Sequence, residues 1–245
     1  MKPKRIRFLN VPVDNIDKES LSVYLEELLK NGGQHQIVLL STKKLFKARR
    51  NKDYFRALNE ATLVLPVSTG ITKGLKFQKK GDVTRYNPYE LIIRIFMAVE
   101  KMNKTAYLLG AHQDDLKEAE KNIKISFPKL KIIGRFSGYF KKDMEENVVL
   151  AIKKSAPALL FAGRGIKGAE IWLAEHKKNF NDGLCLYADN FLEVFAGREK
   201  RVSKEIFNMG LENMSGVIYK PWLLLRFFSF LYLKFLTLIY RIRKL

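Results

Sequence analysis

Residues 158–176 read ALLFAGRGIKGAEIWLAEH. An unbroken apolar run leads into a glycine turn, and a segment with apolar spacing of three and four follows. A run that is apolar at every position, rather than every second one, suits a strand covered on both faces. Glycine at its end marks a tight turn into a helix. The same unit recurs along the chain. Short aliphatic runs stand at 5–11, 36–41, 62–66, 105–110, 130–134, 158–163 and 183–188. Helical patterns lie between most of them, as at 20–32, 45–61, 88–102 and 114–127. Strands alternating with helices predict an α/β fold, a mainly parallel Rossmann-like sheet with helices on both faces. In such a sheet the working side chains sit just past the carboxyl ends of the strands.

One such strand end, LVLPVSTG (63–70), carries no carboxylate, imidazole or thiol. Elsewhere the candidates are sparse. His35, His112 and His176 have no partner at metal-ligand spacing, and no HExxH, GxSxG or GxxxxGK[ST] pattern occurs. A zinc hydrolase, a serine triad and a P-loop thus lack support. Asp114 and Asp115 open a helical pattern and read as caps. The glycines of GRG (163–165) would let a phosphate approach backbone amides at a helix start, although most such glycines only shape a turn. Arg85, just before a helix start at Pro88, could clasp a diphosphate or simply face water. Asp189, Asn190 and Glu193 follow the run GLCLY, where either a ligand or turn formation would use them.

The chain has 245 residues, 47% of them hydrophobic, enough for one large domain with an appendage. Its 45 Lys and Arg against 25 Asp and Glu give a formal charge of +20, which attracts anionic partners. No nucleic-acid module is recognisable, and many lysines sit beside glutamates on helices, so nucleic acid is the weaker candidate. The single cysteine, Cys185, excludes an intrachain disulfide framework. The basic N-terminus has only a short apolar stretch, broken by Asn10, Pro12 and Asp14, and the expectation is a chain kept in the cytoplasm.

Composition changes after residue 213, dividing an α/β domain (1–213) from a basic, apolar appendage (214–245). Between Ser215 and Leu245 there are six basic residues and no acidic one. In WLLLRFFSFLYLKFLTLIY (222–240), thirteen Leu, Ile, Phe and Trp residues favour insertion by about 6 kcal/mol, and two central charges oppose it by about the same. A span is not favoured. On a helical wheel Arg226, Ser229, Lys234, Thr237, Arg241 and Lys244 share an arc of about 140°. Such a stripe predicts an amphipathic helix lying in the headgroup layer of an anionic membrane, with Trp222, Arg226, Lys234 and Arg241 as its contacts. The competing reading is a core helix whose stripe faces water.

Taken in order, the segments ARRNKDYFRALNEATLVLP (48–66), AYLLGAHQDDLKEAEKNI with FPKLKIIGRFSGYF (106–140), PALLFAGRGIKGAEIWL (157–173) and FAGREKRVSKEIFNMGLENM (195–214) resemble the WecG/TagA/CpsF family of bacterial glycosyltransferases over roughly residues 36–212. That resemblance implies transfer of a sugar, often N-acetylmannosamine, from a UDP-sugar donor to a polyprenyl-diphosphate-linked acceptor in cell-surface polysaccharide synthesis. It implies no metal or other cofactor, and a peripheral place at the cytoplasmic face of the inner membrane. A second copy of the chain is a further candidate partner. The family's PDG-x-G turn corresponds to Pro66, Val67, Ser68, Thr69 and Gly70, so Val67 stands where the family has its catalytic Asp. Its preceding Asn falls near Ser41. Its RV-x-G-x-DL corresponds to Arg85 through Leu91, with Glu90 for Asp; its G-x-G-x-PKQE-x-W keeps Gly163, Gly165, Glu170 and Trp172; and its GGAFD becomes Asp189 through Glu193. By resemblance, Ser41, Ser68, Gly70, Arg85, Gly163, Gly165, Glu170 and Asn190 are nucleotide-sugar contacts. Glu90, Asp189 and Glu193 are candidates for the missing base. An inactive relative that binds a nucleotide sugar or a partner is the alternative, and a basic nucleic-acid-binding protein the third reading.

Overall fold

The computed structural model describes residues 2–210 and 225–243, with side chains of the second segment from Leu231 onward. The chain opens with an antiparallel ribbon, β1 (Lys4–Phe8) and β2 (Val11–Asn15), then α1 (Lys18–Lys30), β3 (Gln34–Leu40), α2 (Thr42–Arg50), α3 (Lys52–Glu60) and β4 (Leu63–Pro66). Next come α4 (Thr69–Phe77), α5 (Pro88–Lys101), β5 (Thr105–Leu109), α6 (Gln113–Ser126) and β6 (Lys131–Phe136). The last part holds α7 (Glu145–Ser155), β7 (Leu159–Ala162), α8 (Ala169–His176), β8 (Gly183–Tyr187), α9 (Phe191–Phe195), α10 (Lys204–Asn208) and α11 (Leu225–Ile242).

Strands β3 to β8 form one parallel sheet in the order β4-β3-β8-β7-β5-β6. Alternate residues of each inner strand feed opposite layers, as the pleat requires. Ile37, Leu39, Leu108, Phe161 and Leu186 pack with α1, α5, α6 and α9. On the other face Val38, Leu40 and Val64 meet the ribbon, α2, α3, α4 and α11, while Tyr107, Leu109, Leu160 and Cys185 meet α7 and α8. The expected doubly covered sheet is what the chain builds.

Three local expectations change. The run 5–11 is not one strand. Leu9 and Asn10 take φ of 49° and 69°, and the chain reverses between β1 and β2 through a two-residue turn with both φ positive. The ribbon then shields the β4 edge. Buried Asp14 accepts two hydrogen bonds from Arg5, both 2.7 Å, and one from Val64 N at 2.6 Å. The helix expected over 45–61 breaks at Asn51, which ends α2 and caps α3 through a 2.7 Å bond from Tyr54 N. Finally, α8 starts at Ala169, so Gly163 and Gly165 do not open it.

The C-terminal helix is also more embedded than its stripe suggests. Leu233, Leu236 and Thr237 are buried against the domain, and Gln78 donates to Thr237 O. Gly70 makes room for this: a Cβ there would lie 2.7 Å from Leu233 Cδ2. Thr237, read as part of the outward basic stripe, instead lies inward, its hydroxyl bonded to Leu233 O at 2.7 Å. The outward face is apolar, presenting Leu231, Phe235, Leu238 and Ile242. Lys234 and Arg241 are exposed, and Arg241 stacks on Phe77 at 4.3 Å. Trp222 lies outside the described residues, as does the side chain of Arg226. Among the described residues no helix is long and apolar enough to cross a membrane.

Candidate functional site

In strand order, β3 connects outward to β4, whereas its other neighbour β8 leads back over the sheet to α9. A crevice opens at the carboxyl ends of strands where connections diverge in this way. A cavity of about 250 Å³ lies there, formed from Ser41 after β3, Val67 and Ser68 after β4, and Asn190 after β8. Asn87, Pro88 and Tyr89 at the start of α5 close one side, and Lys200, Arg201, Val202 and Phe207 another.

Four of its polar residues are helix N-caps, Asn190 heading only the five-residue α9 and the other three the longer α2, α4 and α5. Ser41 precedes α2 and accepts from Lys44 N at 3.3 Å. Asn87 precedes α5 and accepts from Tyr89 N at 2.9 Å and Glu90 N at 3.3 Å. Ser68 precedes α4, and its hydroxyl instead accepts from Thr42 N of α2 at 3.2 Å, stitching the two helix starts together. The positive ends of three helix dipoles therefore converge on one cavity. Lys200 and Arg201 add two formal cations, and no carboxylate lines the cavity among the described residues. Such a cradle binds an anion of high charge density, as a diphosphate is.

The predicted site residues divide. Ser41, Val67, Ser68 and Asn190 meet in the cavity. Val67 N bonds Leu40 O at 3.0 Å, which fixes the turn, and its side chain packs into the apolar core on one side. Gly70 lies in the first turn of α4 against Leu233, next to the cavity rather than in it. Arg85 stands with its guanidinium 3.8 Å over the Phe207 ring, donates to Phe207 O at 2.6 Å and also bonds Thr69 Oγ1. It thus ties α10 to the 66–70 turn.

Gly163 and Gly165 serve packing between strand-end loops. A Cβ on Gly163 would meet Leu192 Cδ1 at 2.6 Å, and one on Gly165 would meet the Gly138 carbonyl carbon at 2.6 Å. Glu170, expected at the nucleotide sugar, is buried on the opposite layer, 2.6 Å from Lys44 Nζ and 3.3 Å from the Tyr54 hydroxyl.

None of the three candidate bases lines the cavity. Glu90 follows Tyr89 and pairs with Lys18 at 3.4 Å and Lys204 at 4.0 Å. Asp189 accepts from the Tyr187 hydroxyl at 3.0 Å and stands 3.6 Å from Arg164. Glu193 is buried 3.9 Å from Arg164, its Oε2 without a hydrogen-bond partner, and burial pushes its carboxyl above the usual range.

Asn87, Tyr89, Lys200, Arg201 and Phe207 join the cavity without having been singled out in the sequence. Asn87 had a local signal, since Asn before Pro at a helix start is a cap pattern. The two cations had none, because a loop from a distant part of the chain brings them over.

A model of the Glycosyl transferase WecG/TagA/CpsF family matches residues 6–245. The N-acetylglucosaminyldiphosphoundecaprenol N-acetyl-beta-D-mannosaminyltransferase of Bacillus subtilis (strain 168) is 23% identical over 216 residues, 87% of this chain and 83% of the relative. Its counterpart in Bacillus spizizenii (strain ATCC 23059 / NRRL B-14472 / W23) is 24% identical over 212 residues, 85% of this chain and 82% of the relative. The protein of the same name in Staphylococcus aureus (strain NCTC 8325 / PS 47) is 23% identical over 199 residues, 80% and 78% respectively.

Proposed function

The chain belongs to the WecG/TagA/CpsF family of glycosyl transferases, and on that premise we propose that it transfers an N-acetylmannosamine-like sugar from a UDP-sugar to a polyprenyl-diphosphate-linked acceptor in cell-surface polysaccharide synthesis. The observation that carries the reading is the cavity on which the N-termini of α2, α4 and α5 converge with Lys200 and Arg201. An acceptor hydroxyl oxygen attacks the anomeric carbon, the bond from that carbon to the diphosphate oxygen breaks, and UDP departs. Negative charge grows on the departing diphosphate, where fixed dipoles and cations stabilise it without reorganising. The names of the relatives supply the substrate class. All of them are transferases, so the alternative of an inactive relative has no support there.

The hydroxyl proton needs an acceptor, and the family position for it is Val67. Losing a positioned base lowers a rate typically about 10²–10⁴-fold. Glu90, Asp189 and Glu193 are the proposed substitutes, each close to the cavity but outside its lining. Full turnover in Glu90→Gln, Asp189→Asn and Glu193→Gln alike would exclude all three. The reading as a whole is tested by incubating the protein with UDP-N-acetylmannosamine and an N-acetylglucosaminyl-diphospholipid. A lipid-linked disaccharide and free UDP are expected, and neither should form when the acceptor is left out.

The same reading puts the protein on the cytoplasmic face of the membrane as a peripheral enzyme, with its acceptor in the bilayer. Support comes from the outward apolar stripe of α11 (Leu231, Phe235, Leu238, Ile242) beside exposed Lys234, Arg241 and Arg243. Apolar burial and basic charge together favour an anionic lipid surface.

A further inference from the structure

We propose that Glu199, held by Arg164, is the positioning residue that sets the two cavity cations and Asn190 for the diphosphate of the substrate. The inference rests on the transferase reading above and names the parts that make its anion site.

Lys200 and Arg201 belong to the connection 196–203 between α9 and α10, which has no helix or strand of its own. Consecutive cations on such a segment repel each other and are drawn to water. Glu199 supplies the restraint. One carboxylate oxygen accepts from Arg164 Nη1 at 2.7 Å and the other accepts from Asn190 Nδ2 at 2.6 Å. Asn190 lines the cavity, as do Lys200 and Arg201 on the far side of Glu199.

Arg164 is itself anchored. Its carbonyl accepts from Ala111 N at 2.7 Å, in a turn where Gly110 and Gly163 pack backbone to backbone. The carboxylate holds Arg164 firmly in its charged form, and Arg164 in turn keeps the Glu199 carboxyl below the usual range. Backbone bonds from Arg198 N and Glu199 N to Glu193 O, at 2.9 and 3.2 Å, pin the same segment onto α9.

A carboxylate is the group this place requires. Arg164 can only donate and Asn190 donates its amide here, so each carboxylate oxygen accepts. A glutamine would accept from Arg164 without the charge that strengthens that bond, and its own amide would force Asn190 to turn over. The exchange also removes a negative charge beside an anion site. By field effects alone that change should tighten anion binding a few-fold. Loss of positioning should weaken it instead. The two explanations therefore predict opposite signs.

The experiment is calorimetric titration of the full chain with UDP, and separately with inorganic diphosphate, for wild type, Glu199→Gln and Glu199→Asp. Thermal melting of each variant accompanies it. Glu199→Gln is expected to weaken both ligands about tenfold, the scale of one charge-assisted hydrogen bond, with the fold intact. Glu199→Asp, which keeps the negative charge and two acceptor oxygens for Arg164 and Asn190, is expected to recover most of that loss. Wild-type or tighter affinity in Glu199→Gln overturns the positioning role. So does a Glu199→Asp protein that binds no better than Glu199→Gln. If wild type binds diphosphate but not UDP, the nucleotide-sugar reading fails and the positioning role is judged on diphosphate alone. If wild type binds neither, both fail.

Discussion

Replacing Val67 with Asp returns a carboxylate to the family's catalytic position. Val67 is 7% exposed, with one side in the core and the other on the cavity. Withdrawing its methyl groups from burial costs about 1.5 kcal/mol, and burying a carboxylate adds several kcal/mol, about 3–5. Against this stand three helix N-termini, each worth about 0.3–1 kcal/mol to a nearby anion, and the charges of Lys200 and Arg201. The net cost is about 2–4 kcal/mol, which lowers Tm by about 4–16 °C in a chain of this size. A base aimed at the acceptor hydroxyl raises turnover about 10²–10⁴-fold. The rate should rise with pH through the titration of the new carboxyl and then level off. The assay is UDP release with the lipid-linked acceptor present, alongside a melting curve to show that the variant is folded. A folded Val67→Asp protein that turns over no faster than wild type across the neutral range would refute the idea that this cavity wall faces the acceptor hydroxyl.

Three further outcomes follow from the same geometry. Leu233→Ala removes a 2%-exposed side chain seated on Gly70 and should cost about 2–5 kcal/mol in urea unfolding; a loss under ~1 kcal/mol would mean that α11 does not pack on α4. Glu193→Gln should raise Tm at neutral pH. Burial lifts the folded carboxyl above its unfolded value, so the penalty exists only at pH where the unfolded group is ionised, and the gain should fade as pH falls through about 4; a gain that persists at lower pH contradicts that cause. Phe235→Ser with Leu238→Ser alters side chains 59% and 46% exposed, so melting should change little. Co-sedimentation with anionic liposomes should drop about 30–150-fold, from about 1–1.5 kcal/mol lost per half-buried side chain; undiminished sedimentation would remove α11 as the membrane contact.

The sheet is legible in the sequence because its inner strands are apolar at every position, as in LLFA (159–162) and LVL (63–65). The hairpin is not, since nothing about a leucine at position 9 announces a positive φ. The break at Asn51 is half-legible: Asn is a good cap, but the apolar spacing runs straight through it. In the site, Ser41, Val67, Ser68 and Asn190 come from the family resemblance, and the structure puts each one to three residues past a strand end on one cavity. Lys200 and Arg201 escape notice because a charged loop reads as solvated until another part of the fold draws it in. Glu170 shows the reverse: its place in a familiar motif suggests a ligand contact, whereas its carboxylate is neutralised by Lys44 in the opposite layer. The stripe on α11 misleads for a physical reason, because Thr237 can turn its hydroxyl onto its own helix backbone and bury its methyl group.

The most direct test is the position of bound UDP in a crystal of the full chain. Its diphosphate should lie in the cavity behind Ser41, Ser68 and Asn87, within hydrogen-bond reach of Lys200 or Arg201 and of first-turn amides of α2, α4 or α5. A diphosphate seated at the Gly163–Gly165 turn, or anywhere away from those helix starts, would contradict the site described above.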